Sequence, residues 1–192
     1  MTTDAPRCFG DGDPLYEAYH DHEWGLAVRG EHELFERVAL EAFQSGLSWI
    51  TVLRKRPAFR AAFARFDPQV VARFGDDDVA RLLADANIVR NRAKITATIA
   101  NARAVVGLWD QGRTLSELIW SHEPATVRAR PAIWTDVPTQ TDDSHSLAKD
   151  LKAAGFRFVG PTTAYATMQA CGLVDDHLAT CRVVLARATR AI

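Results

Sequence analysis

The sequence predicts an all-α fold. Apolar residues recur at helical spacing through most of the chain. Strand signals are scarce: Phe156-Arg157-Phe158-Val159 alternates, but it is short and runs into Gly160-Pro161. No parallel βαβ pattern, internal repeat, low-complexity segment or long linker competes with the helical reading. One domain over residues 1–192 is therefore expected, long enough to bury a real core.

Asp13-Pro14 opens a helix over 14–22, a cap followed by a proline suited to the first turn. Residues 31–46 form a second helix, in which Leu40, Phe43 and Leu47 recur at helical spacing with Glu41 among them. Trp49, Ile50 and Leu53 follow a Gly46-Leu47-Ser48-Trp49 break. Residues 57–65 read as helical behind Pro57, and Asp67-Pro68 starts another short helix. Within 76–106, Asp76-Asp77-Asp78 supplies caps and first-turn charge, and Val79, Leu82, Leu83 and Ala86 line one face. The break Asn87-Ile88-Val89-Arg90-Asn91 precedes a helix presenting Ile95, Ile99, Ala102 and Val106. The two make a helical hairpin over about 79–104, with Asn87 expected to take the positive φ that ends its first arm. Helices at 145–154, stopped by Gly155, at 162–171 and at 175–189 complete the pattern.

Hydrophobic residues make up 47% and charged residues 24% of the chain, the balance of an ordinary soluble protein. With a net charge of −1 the whole molecule is no polycation, so nucleic-acid binding would need a local patch. Arg54-Lys55-Arg56 with Arg60 and Arg65 is one candidate; Arg90, Arg92 and Lys94 are another. Either can equally be a solvated helix face. No apolar run reaches the length of a membrane span, and Met1-Thr2-Thr3-Asp4 does not resemble a secretory signal. A cytoplasmic protein without a membrane partner is expected, and nothing suggests an obligate protein interface.

The three cysteines are odd in number and scattered, which argues for reduced thiols rather than a disulfide framework. His177 and Cys181 are four apart on one face of the expected 175–189 helix. Cys8 precedes a short loop, and His20 lies on the 14–22 helix. Two Cys and two His are a complete set for tetrahedral zinc, and four protein ligands would make the site structural. It would also pin the two ends of the chain to each other. Spacing alone leaves a choice between this site and buried thiols with surface histidines. His22 is a rival ligand, although a helix turns it away from His20. Cys171, in an apolar stretch before Gly172, reads as a packed thiol.

Several stretches together resemble one family. "DPLYEAYHDHEWG" (13–25), "LEAFQSGLSWITVLRKR" (40–56), "ANIVRNRAKITATIANARA" (86–104) and "GFRFVG…YATMQACGLVDDH…C" (155–181) are similar to the bacterial 3-methyladenine DNA glycosylase I family. The likeness runs from Cys8 to about Cys181 with the motifs in the family's order. It implies a helix-hairpin-helix glycosylase fold with one structural zinc ion on Cys8, His20, His177 and Cys181, joining the two termini. It also implies a monofunctional enzyme that hydrolyses the N-glycosidic bond of 3-methyladenine in double-stranded DNA. The products would be the free base and an uncut abasic site. Two departures stand out. The family usually has a tryptophan two residues after the first zinc cysteine, where "CFGDGDP" has a shorter loop with Phe9 and Gly10. The hairpin turn carries Asn87 and Ala93 where relatives often have glycine.

N3-methyladenine in DNA is a cationic purine, so its glycosidic bond is already weakened. The enzyme must extrude the base and hold it where water can reach the sugar. Aromatic faces attract a cationic ring, and a buried carboxylate can accept charge-assisted hydrogen bonds from its edge. Tyr16, Tyr19, Trp24 and Trp49 are the aromatic candidates. The family match assigns Tyr19 and Trp49 to the pocket and leaves Tyr16 and Trp24 between pocket wall and core. Glu41 is the expected catalytic carboxylate, whereas Glu36 reads as a solvated helix charge. The resemblance implies no separate water-activating aspartate, so Glu41 would act through base recognition more than as a general base.

Gly46 and Leu47 could wedge into the gap left by an extruded base, or be a helix break with a core leucine. The hairpin residues Asn87, Arg90, Arg92 and Lys94 are expected at phosphates, contacts that carry no sequence information. No lysine occupies a convincing nucleophile position. Two other classes remain: a non-catalytic binder of alkylated DNA with the same fold, and a zinc hydrolase. The latter would need an open metal position and lacks a His-Glu-x-x-His arrangement.

Overall fold

A computed structural model describes residues 5–190; Met1-Thr2-Thr3-Asp4, read above for a secretory signal, lies outside the described residues. Among the described residues there are helices and no strands. They are α1 (Pro14–His22), α2 (Glu31–Gln44), α3 (Trp49–Ala62), α4 (Pro68–Val71), α5 (Asp76–Ala84) and α6 (Arg92–Asp110). α7 (Leu115–Trp120), α8 (Asp142–Ala153), α9 (Pro161–Cys171) and α10 (Arg182–Arg190) follow, with single 3-10 turns at Ala64–Phe66 and Trp134–Asp136. No helix among them is long and apolar enough to cross a membrane.

α2 is the centre of the packing, touching α3, α6, α7 and α9. Its sequence explains why. Leu34, Phe35, Val38, Ala39, Leu40, Ala42 and Phe43 cover nearly its whole circumference and are buried. A helix apolar all round belongs inside a protein. Glu36 is therefore not the solvated charge expected of it: it is 7% exposed and paired with Arg60 of α3 at 2.8 Å.

α1 begins as predicted. Asp13 Oδ1 accepts from the amides of Leu15 and Tyr16, and Pro14 fills the first turn. α3 starts earlier than expected, at Trp49, so Pro57 lies inside the helix rather than opening it. The hairpin is α5 packed on α6, with the connection 85–91 between them. Asn91 caps α6 through its side chain, accepting from the Lys94 amide. Asn87 does not take positive φ. The arm ends instead at extended Asp85, whose Oδ1 accepts from both the amide and side-chain nitrogen of Asn87. Residues 156–159 are no strand: Phe158 sits at φ +57°, breaking any extended run.

α9 ends on Gly172 in the left-handed region at φ +76°. A Cβ there would lie 2.4 Å from the Leu26 carbonyl carbon, so only glycine admits the crossing segment. That segment hydrogen-bonds the end of α9, Gly25 to the Gln169 carbonyl and Val28 to that of Cys171. The crossing carries Trp24 to its place beside α1.

Candidate active site and the adjoining cysteine–histidine cluster

Between α1, α2, the start of α3 and α9 lies a cavity of about 440 Å³. Its lining includes Tyr16 and Tyr19 from α1, Trp24, Glu41 and Gln44 from α2, and Trp49 from α3. All five residues singled out for base contact thus converge on one space. The aromatic rings touch one another: Tyr19 and Trp49 centroids are 5.2 Å apart, Phe9 and Tyr16 4.9 Å, and Phe9 and Trp24 5.1 Å at 74°. These separations suit tilted and edge-to-face pairs, which hold rings in fixed orientations.

Glu41 is 6% exposed, and no hydrogen bond acts on its carboxyl. Burial pushes its pKa up to about 7, against the opposing pull of the Arg37 charge one turn earlier on α2. Arg37 is itself held by Glu23 at 2.9 Å, with its guanidinium 5.8 Å from the Tyr19 ring centroid. Glu23 also takes both amino groups of Arg56, at 2.6 and 2.8 Å. Trp49 Nε1–H is buried without a partner. The cavity therefore combines aromatic walls with an unbonded acceptor on Glu41 and an unbonded donor on Trp49. Buried polar groups are normally paired, so both point to a ligand with complementary edges.

Phe9, Gln44, Trp134, Ala166 and Gln169 also line this space and were not singled out. Gln44 could have been found, since it lies three residues after Glu41 on one helix. Trp134 could not: it stands on an irregular stretch between Pro131 and Pro138 with no periodicity to read.

On the α2–α3 side, the Gly46-Leu47 turn is exposed, with Gly46 at φ +80° and Leu47 37% exposed, so Leu47 is no core residue. Asn87, Arg90 and Arg92 are exposed around the hairpin turn. Lys94 is different. It is 7% exposed, and its ammonium donates to the carbonyls of Phe43 and Ser45 at the end of α2. Its expected phosphate contact is thus corrected: its first-turn position on α6 faces the core, where it satisfies two orphaned helix-end carbonyls. The Arg54-Lys55-Arg56 run is also engaged: Arg54 meets Asp13, Arg56 meets Glu23, and Lys55 donates to the Ala86 and Asn87 carbonyls.

Cys8, His20 and Cys181 form a group whose ligand atoms lie within 4.8 Å of one another. The Cys181 sulfur is 3.5 Å from His20 Nε2. His20 Nδ1 lies 2.8 Å from Asp21, which orients the ring with Nε2 toward the sulfurs. The Leu178 amide donates to the Cys8 sulfur at 3.2 Å. Hydrogen bonds from Cys8 and His20 hold Cys181 toward thiolate, while Cys8 keeps its proton.

His177 is buried beside this group, its ring 4.8 Å from that of His20, but it is not one of the three. Nor is it on a helix with Cys181: α10 begins only at Arg182, because Asp175 and Arg130 tie 175–181 into a loop. His177 Nδ1 faces Asp175 at 2.6 Å, and Nε2 lies 3.3 Å from the His20 carbonyl oxygen. Two sulfurs and an imidazole nitrogen gathered this closely, with a second imidazole beside them, are the donor types zinc takes, so the donor set fits a metal. His22 is exposed and apart from the group; Cys171 is fully buried in the core, its thiol pushed up to about 12 by burial.

Known proteins give this arrangement its family. Residues 9–184 match the family model described as methyladenine glycosylase. The chain is 48% identical over 172 residues to DNA-3-methyladenine glycosylase 1 of Escherichia coli (strain K12), covering 88% of this chain and 91% of that one. It is 44% identical over 185 residues to the DNA-3-methyladenine glycosylase of Haemophilus influenzae, covering 94% and 97%. A crystal structure of 3-methyladenine DNA glycosylase I matches with a TM-score of 0.89 at 46% identity, over 92% of this chain and 98% of that one. The Staphylococcus aureus enzyme, solved for its recognition of 3-methyladenine, matches with a TM-score of 0.86 at 36% identity, over 92% and 94%. The chain belongs to the methyladenine glycosylase family.

Proposed function

We infer that this protein is a monofunctional DNA-3-methyladenine glycosylase of base-excision repair. It hydrolyses the N-glycosidic bond of 3-methyladenine in alkylated double-stranded DNA and leaves an abasic site. The observation that carries this reading is the unbonded, buried Glu41 carboxyl inside an aromatic cavity on a fixed central helix.

In this reading the cationic base leaves the stack and lies among Tyr16, Tyr19, Trp24 and Trp49. Glu41 accepts a hydrogen bond from the purine edge and offsets its charge. The bond between sugar C1′ and the base nitrogen breaks, and the base departs as neutral 3-methyladenine with the bonding pair. Water adds at C1′ and releases one proton. A Schiff-base route finds no support in Lys94, whose ammonium is spent on two carbonyls. Gly46 and Leu47 face the gap left in the duplex, and Asn87, Arg90 and Arg92 meet phosphates of one strand.

One zinc ion on Cys8, His20 and Cys181, with His177 as the adjoining fourth donor, would be structural. When bound it supplies no chemistry to the base; it fixes α1, and with it Tyr16 and Tyr19, against the C-terminal segment. The protein acts in the cytoplasm, on DNA, without an obligate protein partner.

The test is release of free base from methylated duplex DNA, resolving 3-methyladenine from 7-methylguanine by chromatography. Wild type should release 3-methyladenine promptly, and Glu41→Gln should slow that release at least about tenfold, the scale of one lost charge-assisted contact. No release by a folded, metal-loaded wild type would leave a non-catalytic binder of alkylated DNA as the better account.

A further inference from the structure

We propose that Trp134 is a substrate-contacting wall of the cavity, whose indole stacks on the extruded base from the outer side; the inference rests on the glycosylase reading above. Trp134 sits on the 3-10 turn Trp134–Asp136, far in sequence from every other aromatic of the cavity. Its ring contacts are with cavity residues, Phe9 at 5.9 Å and 75° and Trp24 at 6.3 Å and 40°. It belongs to neither buried apolar cluster, and 49% of its surface is exposed. About half of this large aromatic residue is thus uncovered, and it lines the same space as Glu41.

That placement is built rather than incidental. Asp136 accepts from the amides of Ala132 and Ile133, and the Val137 amide donates to the Trp134 carbonyl, so the turn closes on itself. The preceding stretch is anchored across the molecule. The Ala179 amide donates to the Pro131 carbonyl, and Arg130 reaches Asp175 at 2.8 Å. A held turn that presents an open indole to an aromatic cavity suits a flat cationic ring, since every base offers a π-face.

The full-length protein is titrated with free 3-methyladenine, and single-turnover excision is run with enzyme in excess over methylated duplex. Trp134→Ala, Trp134→Phe and Asp136→Ala are compared with wild type. Trp134→Ala should weaken free-base affinity about tenfold, within the usual range for one lost base–aromatic stack. The half-saturating enzyme concentration should rise similarly while the maximal rate stays within about twofold, because the ring binds ground and transition states alike. Trp134→Phe should restore most of the affinity. Asp136→Ala, which frees the turn but keeps the indole, should give an intermediate loss. Unchanged free-base affinity in Trp134→Ala overturns the proposal. So does an equal loss of affinity for undamaged duplex, which would make Trp134 a DNA contact. Wild type that releases no 3-methyladenine fails the glycosylase reading instead, so the two failures are distinguishable.

Discussion

Glu41 lies one turn beyond Arg37 on the central helix, buried among mostly apolar neighbours, and its chemistry follows from that address. Burial raises its pKa to about 7, so between roughly pH 4.5 and 7 the native state keeps a proton that the unfolded chain gives up. The sign is the reverse of a salt-bridged carboxylate: this group's contribution to stability is complete at low pH, falls through that window and is level above it. The loss is on the order of 3 kcal/mol. Glu41→Gln cannot ionise, so its stability relative to wild type should rise from pH 4.5 to 7 and then stay constant. Urea unfolding at pH 4.5, 6 and 8 checks this; a difference that does not vary with pH would mean the carboxyl is better solvated than its burial implies. The same proton reaches function. In kcat/KM, which reports the free enzyme, a protonated Glu41 offers no charge to a cationic base. Wild-type kcat/KM should have an acid limb centred near pH 7 that Glu41→Gln lacks.

α2 and α6 meet at Lys94, which joins the hairpin to the end of the Glu41 helix. Lys94→Met keeps the stem but leaves the Phe43 and Ser45 carbonyls unsatisfied, a loss of about 1–3 kcal/mol by urea unfolding. Its salt slope for DNA binding should not change, whereas Arg90→Ala and Arg92→Ala should each lower the slope by about one. A lowered slope in Lys94→Met would return that lysine to the phosphates. These elements also mark what the sequence could express. The apolar circumference of α2 was readable, and it already implied a buried Glu36, a residue that single-position reasoning left in solvent. The cap at Asp13, the break between α2 and α3 and the hairpin arms were local signals and were found, although α2 ends at Gln44, two residues short of the expected 46. Pro57 misled because proline favours a first turn, yet α3 tolerates it in its interior. The 175–181 stretch misled for a different reason. Its spacing is helical, but Arg130, from an irregular region, binds Asp175 and overrides local preference. Trp134 lies in that same region, where no period exists to be read.

At the scale of the whole molecule, the two ends of the chain meet at the cysteine–histidine cluster. Cys8 accepts the Leu178 amide, and the Arg182 amide donates to the Pro6 carbonyl. The cavity is tied to this meeting through α1. α1 brings Tyr16, Tyr19 and His20 together, so whatever fixes His20 also fixes the two tyrosines. Loop closure over nearly the whole chain is entropically expensive, and a metal bound only by the native state offsets that cost by mass action. The protein should therefore carry one zinc per chain by elemental analysis. Chelation should lower the thermal midpoint by at least about 5 °C, equivalent to a few kcal/mol for a domain of this size. Base release should be lost in parallel with structure, and both should return with zinc. Loss of base release at a temperature where circular dichroism stays native would require the metal to take part in turnover. An unchanged midpoint in a verified metal-free sample would mean that packing alone joins the termini.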